Sequence, residues 1–152
     1  MTKQTILRSL VAGWAGGFAG NALLGALFSS PWVREILYNP EVQSQLFISL
    51  TPQRNIALSV AGLVVLSGLH GVLFAILRPS IPGESWIGKG VWWGLALWVV
   101  YWLAQEWFIY ITLLGEPMGL AAFELGILLA GSLVEGVVIA GLLMRINGVR
   151  LD

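Results

Sequence analysis

Four stretches of this chain stay apolar for longer than a soluble helix needs: about residues 6–28, 56–77, 87–111 and 118–144. About 20 such residues, rising ~1.5 Å each, cross a hydrocarbon layer ~30 Å thick. Inside lipid there is no water for the backbone, so each span must satisfy its own amides and carbonyls, which a helix does. The expectation is therefore an all-α, polytopic membrane protein. It is a four-transmembrane-helix bundle that occupies residues 1–152 as one transmembrane domain, with short interfacial helices in the first outer loop. Composition points the same way, at 57% hydrophobic, 11% charged and a mean hydropathy of +0.83. Soluble domains are typically about 45–50% apolar and about 25% charged. No single core of this chain length could hide so much apolar surface, so the lipid bilayer is its first partner. Lys3 and Arg8 flank the first run as they would a signal peptide. That run exceeds an h-region of about 7–15 residues, and no A-x-A site follows, so it reads as a retained span.

Orientation follows from Lys and Arg in the short connections. Lys3, Arg8, Arg78, Lys89, Arg145 and Arg150 fall on one side, and only Arg34 and Arg54 on the other. Six against two predicts a multi-pass protein of the plasma (inner) membrane with both termini cytoplasmic. Residues 29–55 form the one long connection, an interfacial segment punctuated by Ser30-Pro31, Asn39-Pro40 and Thr51-Pro52. A capping side chain followed by Pro is a helix-start pattern. It predicts short helices near 31–38 and 40–50 and an early start of the second span at Pro52. Gln43, Ser44 and Gln45 beside Leu46, Phe47 and Leu50 suit a helix lying in the interface, with an ordinary ordered loop as the alternative.

Much chemistry is excluded. Formal net charge is zero with no basic tract, so no nucleic acid is expected as a partner. The absence of cysteine removes disulfides, thiolate metal sites, iron–sulfur clusters and cysteine nucleophiles. One histidine and scattered glutamates lack a ligand spacing such as H-x₃-H, so no metal site is expected. There is no nucleophile elbow, P-loop or dinucleotide fingerprint, since the glycines of the first run lie inside a span. The chain is expected not to be an enzyme.

What remains is the surface of the spans. Gly13, Gly17, Asn21 and Gly25 recur every four residues on one face, a spacing that lets two helices approach closely while the Asn21 amide bonds across. In the third span Trp92, Trp93, Trp107 and Tyr110 suit the aromatic belts. Trp98 and Trp102, with Tyr101, Gln105 and Glu106 continuing that side, form a wall for packing or for a flat cofactor. Glu106 and Glu124 fall near the outer boundary, either wet or paired with Arg54. Glu124 and Glu135 are three turns apart and could mark a polar path inward.

Glu135 is the outlier. Ten residues separate it from Arg145, which puts it about 15 Å deep, at the midplane. A carboxylate there faces the bundle interior and has a partner. His70 lies about 12 Å from the same edge on a span running the same way. The frames "SGLHGVLFA" from Ser67 and "SLVEGVVIA" from Ser132 match at an offset of 65, which suggests two related hairpins. His70 and Glu135 are thus expected to form a buried polar pair, with Gly71 and Gly136 letting their helices approach. Three functions compete. The first is a non-enzymatic accessory or assembly subunit of a membrane complex, in which the pair is structural. The second is a small proton-coupled transporter or channel working as a homo-oligomer. No cofactor is expected in either of these; the third is a pigment- or haem-binding subunit with His70 as axial ligand to a haem or chlorophyll flat against Gly68 and Gly71, for which one chain lacks a second histidine ligand. Other membrane subunits or self-association are the expected protein partners.

Overall fold

The computed structural model describes residues 1–50 and 55–145, and every regular element among them is helical. Four helices are long and apolar enough to cross a membrane: α1 (Lys3–Ser29), α4 (Ile56–Ser80), α5 (Trp86–Leu113) and α6 (Met118–Arg145). Between α1 and α4 lie two short helices, α2 (Pro31–Leu37) and α3 (Gln45–Ser49). The long helices start on side-chain caps where one was available. Thr2 accepts from the amide of Thr5, Asn55 from Leu58 and Ser85 from Gly88. Lys3, Arg8, Arg78, Lys89 and Arg145 consequently gather at one end, called here the terminal end. There Lys89 Nζ donates to the carbonyls of Arg78 and Ile81, and Arg145 lies over the Trp86 ring.

The connection of residues 29–50 departs from expectation in its second half. Pro31 starts α2 as read, although the Ser30 hydroxyl donates back to the Leu27 carbonyl instead of capping. Asn39-Pro40 starts a turn and not a helix. The Asn39 side chain accepts from the Glu41 amide, and Gln43 Nε2 donates back to the Leu37 carbonyl, which folds the chain on itself. Ser44 then caps α3, whose five residues are shorter than the expected span of 40–50. The expected early start at Pro52, and Arg54, lie outside the described residues.

The long helices pack as two antiparallel hairpins, α1 with α4 and α5 with α6, joined through an extensive α1–α6 seam. Both hairpins close by the same device. Gly13 and Gly17 of α1 meet Gly71 and Ser67 of α4, and Gly90 and Gly94 of α5 meet Gly136 and Ser132 of α6. At each of these glycines a Cβ would overlap the opposite helix, so the backbones touch because side chains are missing. An indole clamps each hairpin too: Trp14 Nε1 donates to the Val64 carbonyl, and Trp98 Nε1 to that of Leu125, both at 2.9 Å. The repeated frames therefore occupy equivalent places, as the 65-residue offset suggested.

Three expectations about the glycines and Asn21 are corrected. Gly71 and Gly136 serve the hairpin contacts just described and not an α4–α6 approach. Gly25 has no neighbour within reach of a Cβ, because α6 has diverged from α1 at that level. The Asn21 amide bonds back to the Gly17 carbonyl of its own helix and lines the cleft described below, instead of bonding across to a neighbouring helix. α4 and α5 meet through Phe74 against Trp93, rings 5.9 Å apart, so Trp93 belongs to the core and not to a belt. One sequence-silent feature remains. α5 is α-helical only over Trp86–Leu97, and then widens to π-type hydrogen bonding at Trp98–Leu103 and Glu106–Leu113.

Candidate functional site

Two polar features lie along the α1–α6 seam. The deeper one joins α4 to α6: His70 Nδ1 and Glu135 Oε1 are 2.7 Å apart, with both side chains largely buried. Room for it comes from α1. At Gly20 a side chain would press on the Gly131 carbonyl and the Glu135 Cβ, and at Gly16 on the Glu135 carbonyl. The separation suits a charge-assisted N–H···O bond. The bond joins an imidazole to a carboxyl, two groups of the kind that can carry a proton. The face against which the alternative haem or chlorophyll would lie is occupied. Gly68 lies under Trp14 and Leu10, and Gly71 under the backbone of Ser9 and Gly13.

The second feature is a cleft of about 670 Å³ at the end of the bundle away from Lys3 and Arg145. α6 and α1 part there, and α2 and α3 fold over the gap. Val33 and Leu37 of α2 bury themselves with Leu24, Ile127 and Leu128. Trp32 stands edge-on to Phe123 with centroids 5.7 Å apart. α3 is pinned down by the Ser44 hydroxyl, which donates to the Leu114 carbonyl at 2.7 Å, and by Phe47 against Tyr110. Gly115 takes a positive φ of 68°, which lets the α5–α6 turn bring Glu116 back to the rim.

Three carboxylates line this cleft. Glu106 comes from α5, Glu116 from the turn and Glu124 from α6; Arg34 is the one cation among the lining residues. Glu106 is only 1% exposed, and its Oε2 has no hydrogen-bond partner. The expectation of a wet Glu106 is thereby corrected: the far half of α5 turns this face inward, level with Trp102 and Tyr110. Neither oxygen of Glu116 has a hydrogen-bond partner either. Burial pushes the Glu116 carboxyl above its usual range, and the Ser44 backbone amide, close by but outside bonding geometry, pulls it back in part. Glu124 is half-buried on the opposite wall.

The expected aromatic wall divides between two jobs. Trp98 is spent on its bond to α6, while Trp102 stacks edge-on to Tyr101 at 4.7 Å and lines the cleft. Gln105 is half-buried and does not line it. The polar path expected from Glu124 to Glu135 is interrupted. Leu24 sits on Gly131, and it and Leu128, both buried, separate the cleft floor from the His70 pair. Arg34, Tyr38, Gln43, Tyr110 and Glu116, all lining the cleft, were not read from the sequence as candidate site residues. Three of them come from the folded-over connection, whose path no local periodicity encodes. Comparison with protein-family models gives no match, and comparisons with curated proteins and with solved structures give none either.

Proposed function

We propose that this chain is a small non-enzymatic, proton-coupled membrane transporter. The observation that supports it best is the order along one seam: an acidic cleft, a plug of Leu24 and Leu128, then the His70–Glu135 pair. A ligand site separated from a proton-holding site by two apolar side chains is an arrangement that alternating access can use, since moving the plug exposes the pair to the cleft. The excess of basic residues at the terminal end supports a plasma-membrane protein with both termini cytoplasmic and the cleft facing outward. α2 and α3 then lie at the outer interface.

The test is proton movement in vesicles. Proteoliposomes carrying the chain and a trapped pH dye should dissipate an imposed pH gradient faster than empty ones, and Glu135→Gln should abolish the difference. Equal rates with and without the protein, across a screen of external solutes, would reject the reading. A second reading, an accessory subunit of a larger membrane complex, is favoured by the open side between α4 and α5, which beyond Phe74 and Trp93 make little mutual contact. Purification in mild detergent separates the two, because a stoichiometric foreign partner supports the second and a chain alone or with its own copies supports the first.

A further inference from the structure

We infer that the cleft binds an organic ammonium ion, a small alkylamine or quaternary amine, with Glu106 as its principal anion. Three facts converge. Glu106 is buried and its Oε2, at the wall of a 670 Å³ space, has no partner. Glu116 and Glu124 share that space, and among the described residues Arg34 forms an ion pair with none of the three. Trp102, Tyr110 and Phe47 supply aromatic surface beside them.

A buried carboxylate without a partner is costly, and a second and third nearby raise that cost further; a cation entering the cleft relieves it. The class of cation follows from geometry. Among the described residues no three His, Asp or Glu side chains converge closely enough to ligate one metal ion. A metal wants several oxygens at about 2.0–2.6 Å, whereas these carboxylates stand around a space large enough for a molecule. An ammonium carried on alkyl groups needs only one near carboxylate, more distant negative charge and aromatic faces, and this cleft provides them. A phosphate or carboxylate ligand would meet the wrong sign on three sides.

The inference concerns binding alone and does not require that the cation be transported or that protons move. It is tested on the full chain in nanodiscs of zwitterionic lipid at pH 8, by calorimetry with tetraethylammonium and 1,4-diaminobutane as probes. At least one should bind saturably, with sodium at matched ionic strength failing to compete. Glu106→Gln should weaken that probe by about tenfold or more, the scale of one lost charge contact in a partly desolvated site. Glu84→Gln, exposed at the terminal end and outside the cleft, should leave it unchanged. Should Glu106→Gln not fold, Glu124→Gln carries the same expectation at a smaller loss. Absence of saturable binding by both probes overturns the proposal, as does folded Glu106→Gln with wild-type affinity, or displacement by calcium or magnesium at equal ionic strength. Binding without any proton movement would leave this inference standing and remove the coupled-transport reading. Proton movement without binding would do the reverse.

Discussion

Replacing Glu135 separates two duties of one side chain. Glu135→Leu strands the Nδ1 of His70 in an apolar setting, and should destabilise the folded chain by about 1 kcal/mol, the size measured for hydrogen bonds between membrane helices. Glu135→Gln can still hydrogen-bond, so its thermal midpoint in detergent should stay near wild type. Equal midpoints for Leu and Gln would show that the bond adds nothing to stability. Glu116 offers a different test because it titrates outside the spans. Its folded pKa lies above the unfolded one, so over the interval just above the ordinary carboxylate range the folded state keeps a proton that the unfolded state has released. Stability contributed by this group is complete below the unfolded pKa, and is lost as pH rises through the folded one. Glu116→Gln should therefore match wild type near pH 4 and melt higher near pH 8; a gap that closes instead as pH rises would refute it. At this scale the His70–Glu135 pair was legible, because equal depth and matching frames can be counted along a helix. The inward aim of Glu106 was not, since π-type turns after Leu97 shift every later residue off the angles that a regular α-helix predicts.

Helix contacts turn on which glycines are truly covered. Gly136 faces the backbone of Gly90 and Gly94 with no room for a Cβ, so Gly136→Val should part α5 from α6 and destabilise by about 1–3 kcal/mol, as overpacking does. Gly25 belongs to the same four-residue series on α1 in sequence, yet it faces open space. Gly25→Ala should be neutral or stabilise by up to about 1 kcal/mol through helix propensity. Similar losses at both positions would mean that the seam continues past Leu24. The series Gly13, Gly17, Gly25 could not reveal where it stops, because a packing face reads alike whether or not the partner helix diverges. The four long elements were legible to within a few residues, since length and hydropathy fix them. α3 was not, because the turn at Asn39 is set by the bond from Gln43 to the Leu37 carbonyl, a contact that Asn-Pro alone does not announce.

For the molecule as a whole, topology is the property that the basic residues govern. Reporter fusions after Asn39 and after Gly83 should report opposite sides of the membrane, with the Gly83 fusion cytoplasmic. A common side for both would overturn the four-span arrangement, and an inverted result would turn the cleft inward while leaving its chemistry intact. The identical glycine closures within the two hairpins carry a consequence for how the chain is made. Every close contact between α1 and α4 lies within the first 80 residues, so this half can zip shut in the bilayer while the ribosome is still translating the third span. The later hairpin then enters lipid beside a finished template, and Glu135 need not wait alone in hydrocarbon, because His70 is already in place when it arrives.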